Sequence, residues 1–155
     1  MAEKIEGKWT NWNYCGDRLM KVLEIGKVHI LGDDLYFHSY RNGGYGEMDI
    51  WKTTRNGGIW TDPINIEPVN STVNEGFPFI NSTGDELWFT RMYLGTPAIF
   101  RSKKIAGEWQ EPELILSQFA REPTLDDDGN IYFVHHFFES DVMIEADIYV
   151  AYRKK

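Results

Sequence analysis

Residues 103–109 read KKIAGEW, and residues 3–9 read EKIEGKW. The two stretches share Lys, Ile, Gly and Trp at four of their seven positions. The Gly-x-Trp part of this pattern occurs a third time at residues 58–60, which read GIW. A segment that recurs three times in 155 residues indicates a chain built from internal repeats, and the repeat has to be read before any single residue.

Other short elements recur in the same order ahead of this stretch. One reads DLYF at 34–37, ELWF at 86–89 and NIYF at 130–133, and the next reads DIW at 49–51, AIF at 98–100 and DIY at 147–149. The Ile of the latter element stands at 50, 99 and 148, a constant step of 49 residues. Repeats of about 40–50 residues, each with four short strands, are typical of the blades of a β-propeller.

The elements themselves have the composition of β-strands. They are short, rich in aromatic and β-branched residues, and separated by Gly, Asp and Asn, which suit tight turns. The sequence therefore predicts an all-β protein, a single domain over residues 1–155 with three four-stranded propeller blades. The predicted blades cover about 26–66, 74–116 and 121–155, and a strand at 5–13 completes the last one.

Three stretches carry a resemblance to a known family. Residues 84–89 (GDELWF), 43–51 (GGYGEMDIW) and 58–63 (GIWTDP) resemble the WD-like repeat of TolB-type β-propellers. The resemblance covers nearly all of residues 5–153 and implies the propeller fold, but it is nearly silent on function because propellers host many activities. The chain departs from the pattern at Ala98, where the repeat has Asp, and at Trp12, where it has Pro.

The arrangement of the repeats predicts an assembly. The third repeat ends after its DIY element at 147–149. A copy of the Gly-x-Trp element that should follow stands at the N-terminus, at residues 7–9. Three blades fall short of the four to eight that close a ring. We therefore expect a homodimer that forms a six-bladed ring, in which residues 5–13 of one copy complete the blade at 121–155 of the other. The alternative is a piece of a larger propeller with no function of its own.

Composition limits the partners. The net charge is −8 and the sequence pI about 5.0, so the basic footprint that nucleic-acid binding needs is missing. One cysteine allows no disulfide within the chain. The N-terminal residues contain no apolar stretch of the kind that a signal peptide or a membrane span requires. These features favour a cytoplasmic protein, and an exported one would require that a leader had been removed.

The first strand of each blade lines the channel of a propeller, so the residues at its start are candidates for a binding site at the channel rim. They are Lys27, His29, Asn74, Glu75, Arg121 and Glu122. We expect a non-enzymatic module that binds a small molecule, a glycan or a protein at the channel mouth. The alternative is a glycosidase-like hydrolase that uses the rim carboxylates Glu75 and Glu122 as its acid and base.

One motif bears on the enzymatic alternative. The run Arg121-Glu122-Pro123 is similar to the Arg-Asp-Pro motif of invertase-like hydrolases. The Asp of that motif is Glu here, and the chain has no counterpart of the N-terminal Asp nucleophile motif of those enzymes.

No metal or cofactor is expected. His135 and His136 are neighbours on a predicted strand and point to opposite faces, so they cannot easily bind one ion. Residues 126–130 (DDDGN) lack the ligand spacing of a calcium loop and predict a hairpin turn. The chain contains no phosphate loop, dinucleotide-binding fingerprint or Gly-x-Ser-x-Gly elbow.

Overall fold

A computed structural model describes residues 3–11, 25–117, 119–140 and 142–154. Over these residues the chain forms fifteen β-strands in four antiparallel sheets and no helix, which confirms the all-β prediction. The same part of the chain therefore offers no helix with the length and apolarity needed to cross a membrane.

The N-terminal hairpin is a sheet of two strands, β1 (Glu3–Ile5) and β2 (Lys8–Thr10). The predicted strand at 5–13 overlaps β2, but residues 12 and 13 lie outside the described ranges. Trp12, the noted departure from the repeat, lies outside them as well.

The first sheet follows the order β3 (Ile25–Leu31), β4 (Asp34–Ser39) and β5 (Asp49–Asn56). Two short strands, β6 (Ile59–Trp60) and β7 (Ile64–Asn65), both pair with β5. The fourth element of the repeat is thus divided in two. Pro63 stands in the interruption, where its missing N–H cannot continue the ladder.

The second sheet has the same plan. Its strands β8 (Glu75–Ile80), β9 (Glu86–Tyr93) and β10 (Thr96–Ile105) lie side by side, and β11 (Glu108–Trp109) and β12 (Glu113–Leu116) both pair with β10. The third sheet contains β13 (Ala120–Leu125), β14 (Ile131–Glu139) and β15 (Val142–Ala151), and β15 forms its edge over the described residues.

The N-terminal hairpin has the geometry of the outer hairpins in the first and second sheets. Trp9 lies opposite Lys4 just as Trp60 lies opposite Arg55, and Trp109 opposite Lys104. In each pair the cationic group lies over the indole, at 5.8, 5.7 and 5.4 Å from the ring centroid respectively. The sequence match between residues 3–9 and 103–109 is therefore also a match in register.

Consecutive sheets pack face to face through apolar side chains. One cluster joins the first sheet to the second and contains Ile50 and Ile80. Another joins the second sheet to the third and contains Ile99, with Leu125 packed against it. Ile50 and Ile99 are completely buried, whereas Ile148, at the same place in the third sheet, is 78% exposed. Burying such a side chain is worth about 1.5–3 kcal/mol, so the third sheet presents a face that is costly to leave in water.

Candidate functional site

The first strand of each sheet carries a β-bulge at the same place. The pairing shifts between Gly26 and Val28 in β3, between Gly76 and Phe79 in β8, and between Arg121 and Thr124 in β13. The extra residues are, in chain order, Lys27, Phe77 and Glu122. Bulges redirect side chains and are over-represented next to functional sites.

The bulges bring side chains from three strands together. The Lys27 ammonium lies 2.9 Å from the Glu122 carboxylate, although 95 positions separate the two residues in the chain. Lys27 also lies 5.9 Å from the centre of the Phe77 ring, and the Arg121 guanidinium lies 4.9 Å from it. We call Lys27, Phe77, Arg121 and Glu122 the bulge cluster. Three of its members are residues that the sequence predicted at the rim.

Backbone amides at two of the bulges tie each sheet to the preceding one. The Phe77 N–H donates to His38 Nδ1 at 3.0 Å, and the Glu122 N–H donates to Thr90 Oγ1 at 3.0 Å. His38 and Thr90 occupy the same register position in their sheets, opposite Gly26 and Gly76. A Cβ on Gly26 would lie only 1.6 Å from His38 Nε2, so glycine makes the room that this imidazole needs.

His29 forms a second link between the first and second sheets. Its Nδ1 accepts a hydrogen bond from the Ile80 N–H at 2.9 Å, and its ring stacks on Phe79 with centroids 4.5 Å apart. Burial lowers the pKa of His29. Burial also lowers the pKa of His38, and the nearby Arg121 adds to that effect. Both imidazoles therefore favour the neutral form, in which Nδ1 can accept a hydrogen bond.

The structure places Asn74 three positions and Glu75 two positions before Phe77, the bulge residue of the second sheet. Glu75 lies opposite Arg91 and corresponds to Ile25 and Ala120, whereas Phe77 corresponds to Lys27 and Glu122. The rim residues predicted for the second repeat, Asn74 and Glu75, therefore lie two positions before the true equivalents, Gly76 and Phe77. Residue letters do not contain the hydrogen-bond register, which alone shows that Phe77, and not Glu75, is equivalent to Lys27 and Glu122.

Glu75 is enclosed by donors. Its side chain is completely buried, and it accepts hydrogen bonds from Arg91 Nε at 2.8 Å, from the Ser71 hydroxyl at 2.5 Å and from the Ser71 N–H at 3.1 Å. Burial raises the pKa of Glu75, and these donors oppose the rise. Asn74 accepts a hydrogen bond from the Met48 N–H at 3.1 Å. Both residues therefore hold the loop before β8 in place.

Sequence reasoning missed Phe77, His38 and Thr90. A usable signal was the proline that follows two of the three bulge residues, at Pro78 and Pro123. Proline cannot donate to a ladder and occurs in sheets mainly at edges and bulges. Proline at the same place in the first strands of the second and third sheets therefore marks the bulge and the correct alignment.

The described ranges contain no group of three or more His, Cys, Asp or Glu side chains placed to hold a metal ion. His135 packs against Phe137 and His136 against Phe138. The Asp126 carboxylate accepts hydrogen bonds from the N–H groups of Asp128 and Asn130, which makes residues 126–130 a self-contained hairpin turn.

Comparison with known proteins adds no family to these findings. No protein-family model matches the chain, and no curated protein matches it either.

Proposed function

We propose that the three sheets are three blades of a β-propeller, with β3, β8 and β13 as the strands that line its channel. The equal bulges in these three strands and the constant step of 49 residues support this arrangement. Contact between the bulge residues of the first and third sheets, across the second, also supports it, since only inner strands converge in this way.

Two copies then close a six-bladed ring. In the first two seams Ile50 packs in one cluster with Ile80, and Ile99 packs with Leu125. The corresponding side chains at the ends of the chain are Ile148, 78% exposed, and Ile30, 55% exposed. Ile148 of one copy would pack against Ile30 of the other, and the two-fold axis would repeat that seam.

The charges of the third sheet fit the same closure. In the first two sheets an ion pair lies on the face towards the next sheet, Lys52 with Asp34 and Arg101 with Glu86. Val150 takes the place of the cation in the third sheet, opposite Tyr132. An apolar side chain therefore replaces the cation at this place, which suits a face buried between subunits.

The N-terminal hairpin supplies the outer element that the third sheet lacks over the described residues. It shares the register of β5–β6 and β10–β11, and Trp9 is 60% exposed whereas Trp60 is 7% exposed. Placed on the β15 edge of the second copy, the hairpin would cover the edge strand and bury this indole.

The ring acts as a binding module, and its ligand contacts the channel mouth at the bulge cluster. The observation that carries this function is the convergence of Lys27, Phe77, Arg121 and Glu122 from three separate strands. Glu75, the partner that a glycosidase would need, is enclosed by Arg91 and Ser71, and Glu122 is paired with Lys27. This pairing favours binding over hydrolysis.

A ligand screen tests the function. Thermal-shift measurements with a panel of glycans and metabolites are made on the natural chain, on the double variant Lys27→Gln/Arg121→Gln and on the control Arg55→Gln. Arg55 also lies over an aromatic ring, that of Trp60, but on an outer hairpin. We expect at least one compound that stabilises the natural chain and the control and not the double variant. Stabilisation that persists in the double variant would exclude the bulge cluster as the site.

A further inference from the structure

The bulge cluster contains a hydrogen-bond donor without an acceptor. Arg121 Nε is buried, and none of the described residues accepts a hydrogen bond from it. A buried donor that lacks a partner costs about 1–3 kcal/mol, and a native structure with such a group calls for an explanation, of which an absent ion is one. The side of the guanidinium that carries Nε–H also carries one Nη–H, and the two donors are parallel.

The charges of the bulge cluster favour a ligand with a single negative charge. Lys27 and Arg121 each contribute a positive charge and Glu122 a negative one, so the cluster has an excess of one positive charge within a chain of net charge −8. Two imidazoles, those of His38 and His136, interact electrostatically with Arg121 and Glu122. Burial, and then Arg121, lowers the pKa of both, so they add no further positive charge at neutral pH. A monoanion balances the site, whereas a dianion exceeds it.

The backbone of the cluster is held in an unusual conformation. Phe77 has a φ of 55° and Glu122 a φ of 57°, both in the left-handed region that bulky side chains avoid. Such conformations persist only where surrounding contacts impose them, and they concentrate at functional sites. The N–H bonds to His38 and Thr90 hold the backbone of these two residues, and the ion pair with Lys27 holds the Glu122 carboxylate.

We propose that the bulge cluster binds a small organic monocarboxylate with an apolar body. The carboxylate accepts the parallel N–H pair of Arg121 and is attracted by Lys27, and the apolar body lies against the Phe77 ring. The inference rests on the proposed function, because it names the chemistry of the ligand at that same site. Planar guanidinium groups bind planar carboxylates through two parallel hydrogen bonds, which favours this class over a point anion.

Calorimetric titration with three probes tests the proposal: sodium benzoate, sodium acetate and inorganic phosphate. We expect benzoate to bind more tightly than acetate because of the Phe77 contact, and more tightly than phosphate because of the charge balance. Arg121→Gln should weaken benzoate binding about ten- to a hundred-fold, the range expected for a lost charge-assisted hydrogen bond. Arg121→Lys, which keeps the charge and loses the parallel donors, should fall between the two. The control Arg55→Gln should bind as the natural chain does.

Glu122→Gln gives a result of opposite sign. It removes the negative charge beside Lys27, so benzoate should bind several-fold more tightly. A cationic ligand site would instead lose affinity with this change. If the Arg121 variants do not fold, Lys27→Gln replaces them as the test variant, because the Lys27 side chain is half-exposed. This change should weaken benzoate binding.

The outcomes separate the inference from the proposed function. Suppose that a compound in the panel binds only when Lys27 and Arg121 are present, but neither benzoate nor acetate binds. This result would overturn the inference about the carboxylate and leave the proposed function standing. Phosphate bound more tightly than benzoate would overturn the choice of carboxylate. Benzoate binding that Arg121→Gln and Lys27→Gln leave unchanged would overturn the site itself. No binding by any compound would remove both proposals.

Discussion

His29 and His38 each use one ring nitrogen to hold the first two sheets together. Their Nδ1 atoms accept backbone N–H bonds from Ile80 and Phe77, which a protonated imidazole cannot do because both of its nitrogens are donors. Burial lowers the pKa of both residues below the ordinary value of 6.5. The link between these two sheets is therefore sensitive to pH.

We predict that the free energy of unfolding falls as the pH drops below about 6.5. The folded-state pKa values are depressed, so the unfolded chain takes up protons first on acidification. The stabilisation is fully present above the unfolded pKa and is lost as the pH falls through the folded values. Thermal unfolding between pH 5.5 and 7.5 measures the slope. His38→Ala should in addition cost about 1–3 kcal/mol at neutral pH, because it leaves the Phe77 N–H unpaired.

The matched control is the double variant His29→Asn/His38→Asn. Asn offers a side-chain oxygen near the place of Nδ1 and does not titrate, so the dependence on pH over this window should become shallower. Equal slopes for the natural chain and this variant would show that other groups govern the acid sensitivity.

At the scale of the element, the three outer hairpins share one turn. Its two central residues have positive φ, at Gly57 and Gly58, at Ala106 and Gly107, and at Glu6 and Gly7. Positive φ at both positions defines the turn that matches the twist of a two-residue hairpin. The second position is Gly in all three hairpins, but only the first sheet has Gly at the first position as well. Ala106, with a φ of 52°, is therefore strained.

Ala106→Gly should stabilise the chain by about 0.5–1 kcal/mol. The change relieves the left-handed strain of about 1–2 kcal/mol, and the greater freedom of glycine in the unfolded chain offsets part of that gain. Urea unfolding at fixed protein concentration should show a higher midpoint with an unchanged slope. The control is Gly107→Ala, where φ is 90°, which should lower the midpoint. A lower midpoint for Ala106→Gly would contradict the strain argument.

The strands were predictable from sequence, and the detailed site was not. Aromatic and β-branched runs that recur in the same order in each repeat located the strand elements, because turn residues separate them. The bulge was not predicted, because an inserted residue such as Phe77 looks like one more strand residue. Without the hydrogen-bond register, the rim residues of the second repeat were assigned two positions too early, so Glu75 was placed at the rim and Phe77 was not. The hydrogen bonds to His38 and Thr90 join different sheets, and the spacing of the repeats along the chain gives no information about such contacts.

At the scale of the whole molecule, the first and third sheets both expose apolar side chains. Val28 and Ile30 are exposed on the first sheet by 51% and 55%, and Ile148 on the third by 78%. The equivalent residues of interior seams, such as Ile80 and Ile99, are buried. Exposed apolar side chains at both ends are candidates for an interaction surface.

Ile148→Asp should prevent the proposed dimer from forming and leave a monomer. The side chain is exposed within one copy, so the cost to that copy should stay within about 0.5 kcal/mol, as for most surface substitutions. Light scattering should give about twice the chain mass for the natural protein and the chain mass for the variant. The control Ile99→Asp, at the buried equivalent, should unfold the chain. A natural chain that is monomeric at all concentrations would refute the closure and leave both faces to be covered by other sequence.

The exposed indole of Trp9 offers an optical test of the proposed association between two copies. Indole fluorescence shifts to shorter wavelength when water leaves its surroundings, and the indoles of Trp51, Trp60 and Trp88 are already buried. Dilution should therefore shift the emission to the red and increase quenching by acrylamide. A Trp9→Phe variant, subtracted from the natural chain, isolates the contribution of this one chromophore, so the association can be followed without an attached label.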